Sequence, residues 1–271
     1  MVMLDSTAFD GATTPPQLTR FVLNALIGGS PFANALTRLP SERGSVTFPI
    51  VSPAGFDWVG EGQPLPAITP GDDTYTVAVA KLAGVIDLTN ELLDDNELPI
   101  APLLAQAVQD SMSFKLDDGL LHGSGVAPFP QGILAGAEAV SGANLRAAVI
   151  AAWGSMSADG GTSGNIRAFA NPETIAAELG RVDGSGRPIH PDSAELTLGP
   201  VPVTPVPALG LTEVLVVDTS RTYLVPRQDF AFDLSPDAAF YSDAVACRIK
   251  GRFAVAAPVP TKSLRKVTIT P

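Results

Sequence analysis

The stretch FDWVGEGQPLPAITPGDDTYTV, residues 56–77, constrains this chain more than any other. It is flanked by two runs whose apolar residues recur at every second position, the period of a β-strand: Val46, Phe48 and Ile50 on one side, Tyr75, Val77 and Val79 on the other. Between them lie about twenty residues of little apolar content, longer than connections inside compact domains usually are. Pro64, Pro66 and Pro70 restrict the backbone, and Trp58 beside Glu61 is one bulky side chain. Such a segment cannot hold itself together, because it buries too little to offset the entropy of being ordered. Either it is a disordered internal loop, or its order comes from contacts outside it.

The rest of the chain reads as a globular protein of the α+β class. Its 271 residues are 45% hydrophobic, enough to bury a sizeable core. Gly and Pro number 25 each while only 17% of residues are charged, which favours strands, turns and extended connections over long surface helices. TTPPQLTRFVLNALIGGSPFANALTRLP predicts an arm with one short helix: Pro15 and Pro16 lie near its start, Phe21, Leu23, Leu26 and Ile27 supply apolar contacts, and Gly28 and Gly29 stop it. The clearest helix lies in LPIAPLLAQAVQDSMSFKLDDGLLHGSG, where Ile100, Leu103, Leu104, Ala107, Met112, Leu116 and Leu120 recur near helical spacing before Gly123 and Gly125. A helix at ANLRAAVIAAWGSMSA, a strand at IRAFANP and a helix at PETIAAELGR follow. VDGSGRPIHPDSAELTLGPVPVTPVPALG is turn-rich and reads as surface loops. TEVLVVDTSRTYLVP supplies two short strands with a buried run at Val214, Leu215, Val216 and Val217, and residues 230–270 read as long strands.

Little in the sequence supports catalysis. The carboxylate pairs Asp72-Asp73, Asp94-Asp95 and Asp117-Asp118 could in principle serve acid-base hydrolysis or bind a divalent cation, but none has companion ligands at motif spacing, and solvated charge is the expectation. Only two histidines exist, and neither sits near a Gly-x-Ser-x-Gly elbow. His122 reads as a capping or turn residue at the end of the long helix, His190 as a surface residue between Pro188 and Pro191. The glycines of HGSGVAPFPQG lack a Walker lysine or dinucleotide spacing and read as a turn. No cofactor and no metal is expected.

Charge and targeting signals narrow the partners. A formal charge of −11 argues against wrapping nucleic acid by bulk attraction, which needs clustered Lys and Arg. The one basic concentration, Arg248, Lys250, Arg252, Lys262, Arg265 and Lys266, is suited to salt bridges with acidic surfaces of neighbouring copies. The single cysteine, Cys247, excludes an internal disulfide framework and reads as a buried apolar thiol. MVMLDSTAFDG lacks the features of a signal peptide, and no run reaches the roughly 18 apolar residues of a membrane span, so a soluble protein with no membrane partner is expected.

Four stretches, in order, resemble the major capsid proteins of tailed bacteriophages, the Hong Kong 97-type fold. PPQLTRFVLNALIGGSPFANALTRLP with GSVTFPIVSPAGFDWVGEGQPLP is similar to the family's N-terminal arm leading into an extended loop with a Trp-x-x-Glu-Gly core. LAGVIDLTNELLDDN is similar to the strand leading into its long spine helix, and DDGLLHGSGVAPFPQGIL to the exit of that helix with a Gln-Gly-Ile-Leu turn. The later half matches in pattern more than in letters, chiefly at IRAFANPETIAAEL and the terminal strands.

The resemblance implies an organisation: an N-terminal arm at 1–43, an extended β-hairpin loop at 44–82, a peripheral domain with the spine helix at 83–132, an axial domain at 133–228 with loops around 183–199, and the peripheral C-terminal strands at 229–271. In the family the extended loop reaches over a neighbouring subunit, which would explain its composition, with prolines lowering the entropy lost on ordering and Trp58 as anchor. Trp58, Glu61, Pro64, Pro66, Tyr75, Arg248, Lys250 and Arg252 are the expected subunit-interface residues. The implied function is mechanical: pentamers and hexamers of one chain form an icosahedral shell around packaged double-stranded DNA, in a virion assembled in the host bacterial cytoplasm. A separate scaffolding protein, a portal and, where the shell carries one, a decoration protein are the implied partners, with no sequence-specific DNA contact. Some relatives weld subunits by a Lys-Asn isopeptide bond assisted by Glu. Here the loop segment DTYTVAV has no lysine, while Asp243 and Lys250 stand at the asparagine and glutamate positions, so a noncovalent shell is expected. The alternatives are an encapsulin-like compartment or a gene transfer agent shell and, remotely, a carboxylate-dependent hydrolase, which predicts a deep pocket holding two acids.

Overall fold

The computed structural model describes residues 29–50, 58–64, 73–89, 100–161, 163–190, 196–239 and 242–270. In chain order these form α1 (Pro31–Ala35), β1 (Thr37–Arg38), β2 (Ser45–Pro49), β3 (Thr74–Ala78), β4 (Ala80–Thr89), α2 (Ile100–His122), β5 (Glu138–Gly142), α3 (Leu145–Ala158), β6 (Ile166–Ala170), α4 (Pro172–Leu179), β7 (Thr197–Leu198), β8 (Val201–Pro205), β9 (Glu213–Asp218), β10 (Tyr223–Ala239), β11 (Ala244–Ala256), α5 (Pro260–Ser263) and β12 (Leu264–Ile269). Strands β2 and β3 make a two-stranded hairpin, β1-β10-β11-β4 a four-stranded sheet, and β5-β12-β9-β6-β8-β7 a six-stranded sheet. The expected helix at residues 15–28 and the residues Pro66, Pro70, Asp72, Asp94 and Asp95 lie outside the described residues.

Alternation along β11 gives the four-stranded sheet two unlike faces. Cys247, Ile249 and Phe253 are buried in one core with Val108, Leu116, Leu120 and Leu121 of α2, while the intervening Arg248, Lys250 and Arg252 lie on the opposite, more open side. Burial raises the Cys247 thiol to about 11, so it is an inert apolar group at neutral pH. The six-stranded sheet is buried on both faces. Leu215 and Val217 of β9 join the core shared with α2, whereas Val214 and Val216 pack with Leu145, Ala148, Val149, Ala152 and Met156 of α3. The continuous apolar run at 214–217 is the mark of such a doubly covered strand. Helix α3 starts where the Asn144 side chain accepts from the Ala147 amide at 2.9 Å, and α4 where Asn171 accepts from Glu173 ahead of Pro172 at the first turn.

Three parts of the chain differ from the sequence reading. The turn-rich stretch before residue 210 contains β7 and β8, and Val201, Val203, Val206 and Leu209 are buried. Pro202 and Pro205 hid that strand from a reading of the sequence. The second expected short strand after 213 is the start of β10, a strand of 17 residues. Segment 229–271 divides between two sheets, because β12 lies between β5, to which it is parallel, and β9. Arg265 of β12 is fully buried and does not face a neighbouring copy. Its guanidinium donates to Ser155 Oγ at 2.9 Å and to the carbonyls of Thr261 and Leu264 at 2.6 and 2.8 Å, and it pairs with Asp159 and, at 3.3 Å, Glu138.

Asp117 is also buried, where the sequence reading expected solvated charge. Its carboxylate accepts from the Ser30 hydroxyl and from the amides of Phe32 and Ala33 at 3.4 and 3.3 Å, tying the start of α1 to the middle of α2. An acid on a helix looks the same in sequence whichever way it faces; only the packing of α1 removes Asp117 from water. Desolvation outweighs these donors and raises its pKa to about 6. A folded value above the unfolded one stabilises the fold fully below pH ~4, and that contribution is lost as pH rises through about 6. Wild type should therefore lose about 3 kcal/mol relative to Asp117→Asn between pH 4 and 7, two units at ~1.4 kcal/mol each. Urea melts of both chains across that range check it, and a constant difference would mean the carboxyl stays ionised throughout.

Candidate assembly surface

The base of the hairpin is fastened to its own chain. Val46 pairs with Val77 and Phe48 with Tyr75 in register, and the apolar side of this pair covers Val225, Ala254 and Ala256 of the four-stranded sheet. Phe48 stacks on Tyr223 with ring centres 5.6 Å apart. Tyr75 lies in this third, small core, and burial raises its pKa. One expected interface residue is thus placed against the subunit's own sheet.

The tip is different. Gly62, at φ +79°, lets the chain turn so that the Gln63 amide reaches the Gly60 carbonyl at 3.2 Å, which puts Glu61 on the corner. Trp58 is 100% exposed, and Val59, Glu61 and Pro64 are exposed with it. Among the described residues the other exposed aromatic side chains are Phe114 and Phe129, at 44% and 62%.

The expected basic interface residues form one face. Arg248, Lys250 and Arg252 follow one another at every second position of β11, paired across β4 with Val85, Ala83 and Lys81. Asp233 of β10 accepts from Lys250 at 2.7 Å and from Arg248 at 2.9 Å, and these two cations hold its carboxyl below the usual range. Of the six cations expected to reach neighbouring copies, Arg248, Lys250, Arg265 and Lys266 are paired within the chain, Lys266 with Glu213 at 2.9 Å. The hairpin tip and this face are the two parts of the expected site.

Sequence reasoning missed two polar junctions. His122 closes α2 with Nδ1 3.3 Å from Asp118 and Nε2 3.1 Å from Glu213, linking the long helix to the six-stranded sheet. Glu213 is held below its ordinary pKa chiefly by Lys266. His190 is buried and sits 3.1 Å from the equally buried Glu178 of α4, which Arg181 also meets at 3.0 Å; it is a packed residue and not a surface one. A cavity of about 220 Å³ between β4 and the end of α2 is lined mainly by apolar groups such as Leu82, Leu116, Phe129 and Phe253, and its one acid is Asp118. Two-carboxylate hydrolysis has no site there. Among the described residues no cluster of His, Cys, Asp and Glu could hold a metal, and no helix is long and apolar enough to cross a membrane.

The family model of the phage capsid family matches residues 10–268. This chain belongs to the phage capsid family. The capsid protein has the fold of a chain from the capsid of an empty GTA particle computed with C5 symmetry, at TM-score 0.72 and 18% identity over 100% of this chain and 96% of that one. A chain of Mycobacterium phage Bobi gives 0.69 at 19% identity over 100% and 96%, and one of a virus-like particle from Pyrococcus furiosus 0.63 at 14% over 94% and 98%. No curated protein sequence matches the capsid protein. The α+β fold and the role of a structural shell protein, a component of the virion, are those of the family.

Proposed function

We propose that this capsid protein assembles as pentamers and hexamers into an icosahedral shell around packaged double-stranded DNA. The observation that carries the reading is the hairpin: its base is buried in its own subunit, while its tip offers Trp58 to solvent. A fully exposed tryptophan buries almost no apolar surface in its own subunit, whereas a neighbour that covers it removes about 150–250 Å² of mostly apolar surface from water. On this reading residues 44–82 are the extended loop, the four-stranded sheet and α2 the core of a peripheral domain, and the six-stranded sheet an axial domain. The interface residues are Trp58, Glu61, Pro64, Pro66, Arg248, Lys250 and Arg252, with Tyr75 fixing the base of the loop. Assembly occurs in the bacterial cytoplasm with a separate scaffolding protein and a portal, and the net charge of −11 repels DNA from the shell wall, so that the genome moves without sticking.

Negative-stain imaging and sedimentation of the expressed chain test the reading. Closed particles of megadalton mass that hold DNA when made with their phage partners are expected. A stable monomer or small oligomer under all assembly conditions would overturn it. Particles filled with protein cargo and no DNA would favour the encapsulin-like alternative. Boiling purified particles in detergent, with and without reductant, should release only the 28.0 kDa chain. Strand β3 carries no lysine for an isopeptide bond, and Cys247 is buried. A ladder that survives reduction would reveal a covalent link elsewhere.

A further inference from the structure

Lys81 and Arg252 stand directly opposite each other in the β4–β11 register. Paired residues on adjacent strands point to the same face, so two cations lie side by side, an arrangement that destabilises a sheet unless an acid joins them. Among the described residues neither has an ion-pair partner, although the chain as a whole carries an excess of acids. Asp233 cannot serve them: it is engaged by Arg248 and Lys250, and Arg248 is four residues, roughly 13 Å, along the strand from Arg252. Val85, 62% exposed, lies on the same face of β4 beyond Ala83, opposite Arg248, and offers apolar surface roughly 13 Å along the strand from the cation pair. Asp87 lies farther along still, opposite Ala246.

We propose that the Lys81–Arg252 pair is a docking site for the Glu61 carboxylate of a second copy, whose Trp58 then lies over Val85. The tip carries the complementary chemistry: one acid held on the corner of a tight turn and one large, fully exposed apolar side chain three residues before it. A guanidinium and an ammonium converging on one carboxylate form charge-assisted hydrogen bonds, and the tryptophan buries apolar surface against Val85. The site fixes register between copies, since only the copy whose tip reaches this point relieves the like-charge contact. This inference rests on the shell reading and names the partner surface of the hairpin tip.

The test exchanges the charges. Glu61→Lys alone, and Lys81→Glu with Arg252→Glu, should each reduce particle yield by tenfold or more while the unassembled chain melts normally. The combination of all three should restore yield to within a few-fold of wild type. Normal particles from Glu61→Lys, or no recovery in the combination, would overturn the proposal. So would particles of the Lys81→Glu, Arg252→Glu chain that close normally and fail only to retain DNA, because the anion would then be a phosphate. If the exchanged chains fold poorly, Glu61→Cys with Lys81→Cys replaces them: oxidised particles should give a reducible ladder of linked chains that neither single variant gives. Closed particles without that ladder would also overturn the proposal. Failure of wild type to form particles would instead strike the shell reading itself.

Discussion

Replacing residues 57–73 by a short Gly-Ser turn is expected to leave a soluble chain that melts cooperatively near the wild-type temperature and forms no closed particles. The deletion spares Val46, Phe48, Tyr75 and Val77, so the packing of the hairpin base against Val225, Ala254 and Ala256 is retained. It removes Trp58 and Glu61, which lie on an exposed tip and add nothing to the subunit's three cores. Specific protein interfaces bury roughly 1,200–2,000 Å² in all, and one lost arm is a large part of such an area. The loss recurs at every contact of a closed shell, and repeated contacts multiply each other's effect. Calorimetry and sedimentation of the same preparation decide the matter. Normal shells from the shortened chain, or a chain that no longer folds, would refute the assignment of the tip to assembly.

Arg265→Ala should be the most damaging single substitution to the subunit itself. It removes a fully buried guanidinium and leaves the carbonyls of Thr261 and Leu264 without their donor, while Asp159 loses its buried partner. Asp159 and Glu138 are half exposed and regain water, so the cost falls on the lost hydrogen bonds to the two carbonyls, at about 1–3 kcal/mol each, and on the emptied volume, equivalent here to a fall in Tm of about 10 °C. Arg265→Met refills much of the volume and should recover the packing part of that loss. A thermal melt of both variants checks the order. A full recovery in Arg265→Met would show that the guanidinium contributes packing alone, and small losses in both variants would refute its importance to the subunit.

The parts of the fold legible in the sequence were those set by local periodicity. The α2 spacing of apolar residues, the alternation of Val46 and Phe48 with Tyr75 and Val77, and the solid run at 214–217 each report a neighbour on one face or on two. What escaped were relations between distant residues. Asp117 and Asp118 are identical neighbours in the sequence, yet one lies under Ser30 and the other beside His122. The partner of Arg265 is Asp159, and the strand beside β12 is β5, neither of which carries a local sign. The proposed interface residues divide along the same line. Trp58 drew notice because a bulky side chain in a stretch of little apolar content is a local feature, whereas the pairing of Lys81 with Arg252 required the register of β4 against β11.

The place of β12 has a consequence for how the protein is made. This strand is laid between β5 and β9, so the six-stranded sheet is divided until β12, made long after β5, arrives to join its two parts. At ordinary speeds of synthesis β5 waits roughly ten seconds for its parallel neighbour. During that wait a nascent chain has no finished sheet to offer to other copies, and a chain broken off before residue 264 never acquires one. The topology thereby acts as a check on synthesis: a chain cut short of β12 lacks the keystone strand, and without that strand it has no complete subunit to bring to a shell.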